Sequence, residues 1–476
     1  MPGTRSRYAD RPYRARSPVE QAARSADGRP EGEPHLGPSL FCTYPHRAPG
    51  DIPSPSGAPD EWTAVDRTAE LSLESAPADL HGTEAKALRA AGPVATVALP
   101  GGVVAKAVTT REAGALVLGD PRFSKDISNW GAHARGEIPA DWPLLFIVEG
   151  ESLLTTDGDT HRRLRLPIQR AFSPRRVQAL RPRIEAIADQ LLSRLAAVPA
   201  GEETNLHHGF ALPLPLDVIC SLLGVPEDGP LRQELRELSA AAMNSEAGAE
   251  EVQNTVGQRF PATLMSLIEQ KRARGDQDDL TMDLVAALDA GELTEAEVIG
   301  NLVVTVIGGH ETTANLICHA VRGLLTYPET LEKARARQGA GENPWPDIVE
   351  EALRWESPTR NLMFRYATEN VDVEGEVIRE GEAVLVPLSA IQRCPHAFPD
   401  PDPEVFAPDR ANASRHLAFG VGPHRCPGAS LARLEAEIAL RQLFETFPGL
   451  ALGSGPAPRV PSLGINGYQQ LPVVLR

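Results

Sequence analysis

His416-Leu417-Ala418-Phe419-Gly420-Val421-Gly422-Pro423-His424-Arg425-Cys426-Pro427-Gly428 is the stretch whose reading decides the fold. A thiolate is a good soft ligand for iron, but it must be protected from protonation and oxidation. Glycines at 420, 422 and 428 let the backbone come close to a flat cofactor and aim amide N–H groups at the sulfur, where they tune the metal. Phe419 can shield the sulfur's side of the ring, while His424 and Arg425 can meet carboxylates. An amphipathic helix follows, spaced over 427–447 and opened by Cys426, so its positive end favours an anionic sulfur. A solitary cysteine is ordinarily a small buried hydrophobe. Here three glycines, one aromatic and two cationic-capable side chains surround it at fixed offsets, and the structural explanation loses its force.

The rest of the composition narrows the setting. The chain has 476 residues, 42% hydrophobic and 23% charged, enough to bury a sizeable core. Its net charge of −17 argues against nucleic acid and against general binding to anionic membrane. No apolar run of about eighteen residues is present, so no transmembrane helix is expected. No leader pattern opens the chain, which points to the cytoplasm. The five cysteines (Cys42, Cys220, Cys318, Cys394 and Cys426) are widely spaced, with no CxxC pair. A disulfide framework or structural zinc site is therefore not expected.

Residues 1–77 hold twelve of the 43 prolines, show no sustained period and read as a disordered Pro/Arg/Ser-rich extension. The remainder, 78–476, reads as one mainly α body with a small β part. A short helix is expected over 83–91 and a β-hairpin over 93–107, turning at Gly101–Gly102. Helical periodicity covers 159–172, 174–197, 228–240, 250–274, 294–327 and 345–356. Short strands fill 362–374 and 376–387, and Pro-rich irregular chain covers 395–410.

Four other motifs carry chemistry. Gly308-Gly309-His310-Glu311-Thr312-Thr313 falls inside the longest helix, where each glycine costs about 0.8–1 kcal/mol relative to alanine. A local opening of the backbone ladder there would make room for dioxygen, beside an acid and an alcohol able to deliver protons. A zinc HExxH reading fails because position 314 is alanine. Glu351 and Arg354 stand one helical turn apart and can touch. His161 and Arg165 share a helix face at i and i+4. Arg365 and Arg393 lie on the connections that follow.

The FGxGxHRCxG pattern resembles the haem-binding signature of the cytochrome P-450 superfamily, in its soluble bacterial and in particular actinobacterial members. The other motifs fall in the family's order over about 84% of the chain. Gly308–Thr313 is similar to the family's AGxET motif, with Gly308 in place of alanine, and Glu351–Arg354 to its ExxR motif. His161–Arg165 is similar to its HxxxR propionate clamp. The resemblance implies a single large helical fold with haem b buried between the long central helix and the Cys loop. Cys426 would be the axial iron ligand, with Phe419 and Gly420 beside it. His161, Arg165, Arg365, His416 and His424 would hold the propionates. Glu351, Arg354 and Arg393 would support the loop, while Val405 stands where a further meander arginine is usual, leaving the third member of that charge network open. Thr312 would hydrogen-bond bound dioxygen, and Glu311 would relay protons.

The implied activity is insertion of one oxygen atom into a lipophilic small molecule, by hydroxylation or epoxidation. Contacts to it are expected from 128–147, 238–256, Val303–Ile307, Leu362–Met363 and Ile465–Asn466. No GxGxxG unit follows the haem region, so electrons would come from a separate ferredoxin and its reductase. Eight arginines and no acid lie between Thr160 and Ile184, a surface that could steer an acidic partner, with Arg163 and Arg176 as its natural probes. Interleaved aromatics suited to nucleic acid are missing apart from Phe172. A haem-thiolate peroxygenase or rearrangement enzyme, and a non-catalytic haem-fold partner protein, are the alternatives. Retention of the Glu311–Thr312 pair and of Cys426 weighs against them.

Overall fold

The computed structural model describes residues 68–70, 80–140, 142, 144–227, 229–242, 255–275 and 279–476. The chain divides into two units, Met1–Thr63 and Ala64–Arg476, and the first lies outside the described residues. The second begins inside the expected 1–77 extension. Thr68–Glu70 forms strand β1, which pairs in parallel with Val94–Leu99 (β2), Thr68 opposite Thr96. That extension is therefore shorter than its composition implies, because proline density does not report backbone pairing. Its remaining residues lie outside the described ones.

Eleven α-helices of nine residues or more make up the described body. They are Arg111–Gly119 (α1), Gly158–Ala171 (α2), Arg181–Leu195 (α3), Pro213–Leu222 (α4), Leu231–Ala242 (α5) and Phe260–Arg274 (α6). Leu280–Asp289 (α7), Glu295–Thr326 (α8), Pro328–Gly339 (α9), Trp345–Trp355 (α10) and Ala429–Thr446 (α11) complete the set. α8 starts where the sequence places it because Thr294 and Glu297 form a reciprocal cap. Glu297 N donates to Thr294 Oγ1 at 3.2 Å, and Thr294 N donates to a Glu297 carboxylate oxygen at 2.8 Å. It stops just before Pro328. Its 32 residues run about 48 Å through the main core, against α4, α10 and α11. The expected single helix over 174–197 is two pieces, Pro174–Ala179 and α3, since Pro182 begins a new first turn. α6 starts at Phe260 after a π-helical turn, and 250–254 lie outside the described residues.

The main sheet is ordered β1, β2, Val103–Val108 (β3), Ala383–Pro387 (β9), Asn361–Ala367 (β6) and Phe123–Ser124 (β4). Glu203–Asn205 (β5) belongs to a smaller sheet with Ala451–Leu452 (β10) and Pro472–Val474 (β11). The stretch expected as two strands resolves into four, because Val371–Val373 (β7) and Glu376–Ile378 (β8) form their own hairpin. A register shift between Leu362 and Arg365 breaks the alternation of β6. Leu362 and Met363 are both half-buried, whereas Phe364 to Ala367 are all buried.

α8 is continuous, so the backbone opening expected at the two glycines is absent. The glycines have separate reasons. A Cβ on Gly309 would come 2.4 Å from Ile219 on α4, so this glycine lets two helices approach. A Cβ on Gly308 would meet nothing within 4 Å. Thr312 Oγ1 donates to the Gly308 carbonyl at 2.7 Å, so the hydroxyl is tied to the helix without breaking it.

A buried ionic network holds the irregular chain that carries the cysteine. Arg354 donates to both Glu351 oxygens at 2.7 Å, and both side chains are fully buried. The same guanidinium donates to the carbonyls of Gln392 (3.1 Å), Pro403 (2.9 Å) and Val405 (3.1 Å). Glu351 also accepts from Ala407 N at 2.8 Å. The third charged member is Arg410, whose Nε lies 3.5 Å from Glu351. Position 405 therefore needs no arginine, since it contributes its carbonyl. Arg393 does not join this pair. It bridges Glu356 and Glu404, both at 3.0 Å, and stacks over Trp355. Gln392 donates to Leu353 O and accepts from Leu417 N, coupling α10 to the start of the Cys loop.

Two outcomes are expected. Gly308→Ala should raise unfolding free energy by about 0.5–1 kcal/mol through helix propensity, while Gly309→Ala should lower it, both read by denaturant titration. Arg410→Leu should cost about 3 kcal/mol by leaving Glu351 short of a cation, and a change under about 0.5 kcal/mol would remove it from the network.

Candidate functional site

Cys426 lies just outside α11, contrary to the expectation that it opens the helix: Gly428 is the N-cap and Ala429 the first helical residue. What reaches the sulfur is one amide, the Gly428 N–H. Cys426 N donates back to Phe419 O at 2.8 Å, closing the loop into a tight bend. Gly420 and Gly422 take φ of +64° and +74°, and a Cβ on Gly422 would press 2.9 Å against the end of α1. Phe419 is covered by the Arg433 guanidinium, 4.5 Å from its centroid. Burial pushes the Cys426 thiol up, while the Gly428 amide and Arg165, Arg425 and Arg433 pull it down. The free thiol is thus short of the stabilisation a thiolate needs, which a cationic metal would supply.

Beside the loop lies a cluster of donors from four parts of the chain. His161 and Arg165 come from α2, Arg365 from β6, His424 from the Cys loop, and Lys125 and Asp157 from the connections before α2. The His161 and His424 rings stack 4.1 Å apart. Asp157 accepts from His424 Nε2 (3.1 Å), Ser124 Oγ (2.7 Å) and Lys125 N (2.5 Å). Burial works against its charge, but these hydrogen bonds outweigh it and hold the carboxyl well below its usual range. Burial lowers the Arg365 guanidinium to about 10 and His424 to about 4.

One carboxylate does not satisfy this cluster. His161 Nε2, Arg165 Nη1, Arg365 Nη1 and His424 Nδ1 are all buried without a hydrogen-bond partner. Buried donors are nearly always paired, and each orphan costs about 1–3 kcal/mol. Four convergent orphans next to a cysteine loop fit a ligand carrying two carboxylates, as haem does. His416, expected among them, sits elsewhere: its Nε2 lies 3.3 Å from Glu350, which Arg433 also pairs. Lys125, Asp157 and Arg410 were not singled out in the sequence.

Glu311 and Thr312 are adjacent on α8, and so point about 100° apart. Thr312 is partly exposed, whereas Glu311 is buried, and burial raises its carboxyl to about 7. Val303, Ile307, Leu362 and Met363 are half-buried apolar side chains at the expected substrate positions. Asn466 is not available there, because its amide donates to Glu356 and Ser357. The stretches 128–147 and 238–256 lie partly outside the described residues.

The arginine-rich surface is mostly neutralised. Arg163 makes a bidentate pair with Glu297 at 2.6–2.7 Å and Arg176 pairs with Asp283 at 2.8 Å. Arg162, Arg181 and Arg183 also meet carboxylates, and Arg165 is turned inward to Arg425 O. Arg170 and Arg175 are exposed, with no ion-pair partner among the described residues. They flank Phe172, whose ring lies against Gly428.

Comparison with known proteins agrees with this geometry. Residues 345–458 match the Cytochrome P450 family model. The chain is 36% identical over 412 residues to the 2-hydroxy-5-methyl-1-naphthoate 7-hydroxylase of Streptomyces carzinostaticus, covering 85% of this chain and 97% of that protein. It is 38% identical to the cytochrome P450 monooxygenase PikC of Streptomyces venezuelae, covering 83% and 91%. The solved structure of "testerone bound" CYP154C4 from Streptomyces sp. ATCC 11861 matches with a TM-score of 0.79 and 42% identity, covering 86% and 98%. Bacterial relatives of this kind work with dioxygen and redox partners. At 36–42% identity to these relatives over more than four-fifths of its length, the chain belongs to the cytochrome P450 family of haem-thiolate monooxygenases.

Proposed function

We propose that this enzyme hydroxylates or epoxidises a lipophilic small molecule of fused-ring or steroid size, using haem b and electrons from a ferredoxin and its reductase in the cytoplasm. The observation that carries this reading is the convergence of four buried nitrogens beside the Cys426 loop that have no partner among the described residues, those of His161, Arg165, Arg365 and His424. His161, Arg165, Arg365 and His424 would hold the two propionates, and Cys426 would ligate the iron. Bound there, haem supplies a redox-active iron whose thiolate ligand favours O–O cleavage. Phe419 and the Gly428 amide shield and steady the sulfur, and Arg433 keeps the Phe419 ring in place.

Thr312 uses its proton on the Gly308 carbonyl, so its oxygen is left as an acceptor for a water or another protonated group in the pocket. Glu311, with its carboxyl raised to about 7, carries a transferable proton near neutral pH. The half-buried Val303, Ile307, Leu362 and Met363 support an apolar substrate, in keeping with the naphthoate and steroid named for two of the relatives. Arg170 and Arg175 support docking of an acidic ferredoxin near the thiolate, where their charge is not already compensated.

The purified enzyme reduced under carbon monoxide should show the long-wavelength Soret band of thiolate ligation, and Cys426→Ser should abolish it. Absence of the band in the parent enzyme would end the assignment. Arg170→Glu combined with Arg175→Glu should slow reduction by ferredoxin at low salt by about tenfold, with the difference shrinking as salt rises. An equal rate for parent and variant in stopped-flow mixing would place the docking surface elsewhere. Arg163 and Arg176 are poor probes, since reversing either breaks an internal ion pair.

A further inference from the structure

Glu311 does not face only the side where Thr312 lies. It lines a cavity of about 620 Å³ whose wall also includes Asn205, His207, His208, Tyr468 and Gln469. The π-helical turn His207–Ala211 brings the two histidines there. His208 is exposed, His207 is buried, and their ring centroids are 5.3 Å apart. Both ring nitrogens of His207 are buried with no hydrogen-bond partner among the described residues. Buried imidazoles are ordinarily satisfied by protein or by water. The cavity wall is mixed, with Leu212, Val460 and Ile465 beside these polar groups, and the space is far larger than the roughly 10–15 Å³ that one water requires.

We infer that His207 and His208 form the entry path by which solvent protons reach Glu311, a role that rests on Glu311 being the proton donor of the proposed reaction. A proton enters from bulk water at His208 and passes along cavity water to one nitrogen of His207. The opposite nitrogen gives up its proton towards the Glu311 carboxylate. One proton has then moved from solvent to Glu311, only N–H and O–H bonds have changed, and no electrons are transferred. Burial suits His207 to this: it lowers the imidazole to about 4, so at neutral pH the ring is uncharged and has one donor and one acceptor. His310 is not the entry. Its Nδ1 lies 3.8 Å from Glu311 and 3.4 Å from Ser239, but it is fully enclosed and absent from the cavity wall.

The test is hydrogen–deuterium exchange of the protonated Glu311 carboxyl in the ferric resting enzyme. It is followed by the infrared C=O band that Glu311→Gln removes. His207→Phe should slow that exchange tenfold or more while leaving the carbon monoxide Soret band in place. His207→Gln, which keeps a donor and an acceptor, should recover most of the rate, and His208→Leu at the mouth should slow it about threefold. Unchanged exchange in both His207→Phe and His208→Leu overturns the path. If His207→Phe fails to incorporate haem, His208→Leu decides alone. The proton-donor role is judged separately: if Glu311→Gln leaves product formed per electron unchanged, Glu311 is not the donor, whatever the exchange rates show.

Discussion

The fully buried Glu351–Arg354 pair is the interaction on which the rest of this structure depends. Two charges removed from water cost several kcal/mol each unless nearly every lone pair and proton is engaged. Here they are: Arg354 reaches three carbonyls in the irregular chain, and Glu351 takes the Ala407 amide and the nearby charge of Arg410. The chain from Pro395 to Arg410 has almost no regular structure to satisfy its backbone. The ion pair stands in for a sheet or helix, fixing carbonyls 392, 403 and 405 relative to α10. Gln392 then passes that constraint to Leu417, and so to the bend that holds Cys426. The bend around Cys426 is thus set by a network that lies well upstream in sequence, from Glu351 to Arg410.

The donor cluster works by the opposite logic. Lys125, His161, Arg365 and His424 share a single carboxylate neighbour, Asp157, which orients His424 and accepts from the Lys125 amide. Burial lowers Arg365 and His424 more than the Asp157 charge raises them, so one carboxylate does not offset the cost of enclosing these groups. A fold that encloses the unpartnered nitrogens of His161, Arg165, Arg365 and His424 in one place bears that desolvation cost for as long as no ligand meets them. Ligand binding and stability are therefore coupled at this site.

Much of this was legible in the sequence wherever short-range chemistry decides the outcome. The limits of α8 follow from a capping box and a proline, and those of α2 and α10 from apolar period. The Cys loop announces itself because its glycines need positive φ and a close neighbour, conditions that few other residues meet. What could not be read is set by tertiary pairing. Arg410, Lys125 and Asp157 are ordinary charged residues until folding places them against Glu351 or His424. His416 and His424 are both candidates in one motif, and it is Glu350, far off in sequence, that takes His416 as its partner. The arginine count between Thr160 and Ile184 overstates the uncompensated charge for the same reason, since Glu297 and Asp283 pair Arg163 and Arg176 from other helices.

The glycines of α8 show how one helix serves two compartments. Gly309 lets α4 press close, sealing the core side with Ile219, while Gly308 leaves open the space beside Thr312. Between these positions the 100° turn from Glu311 to Thr312 carries a carboxyl from one side of the helix to a hydroxyl on the other. Ile307 stands one turn before Glu311 and about 40° from it around the helix, so the apolar stripe of Val303 and Ile307 runs on the Glu311 side while Thr312 lies with Gly308. An uninterrupted backbone fixes that angle between carboxyl and hydroxyl, so it is the continuity of α8, not a break in it, that keeps the two groups on their separate faces.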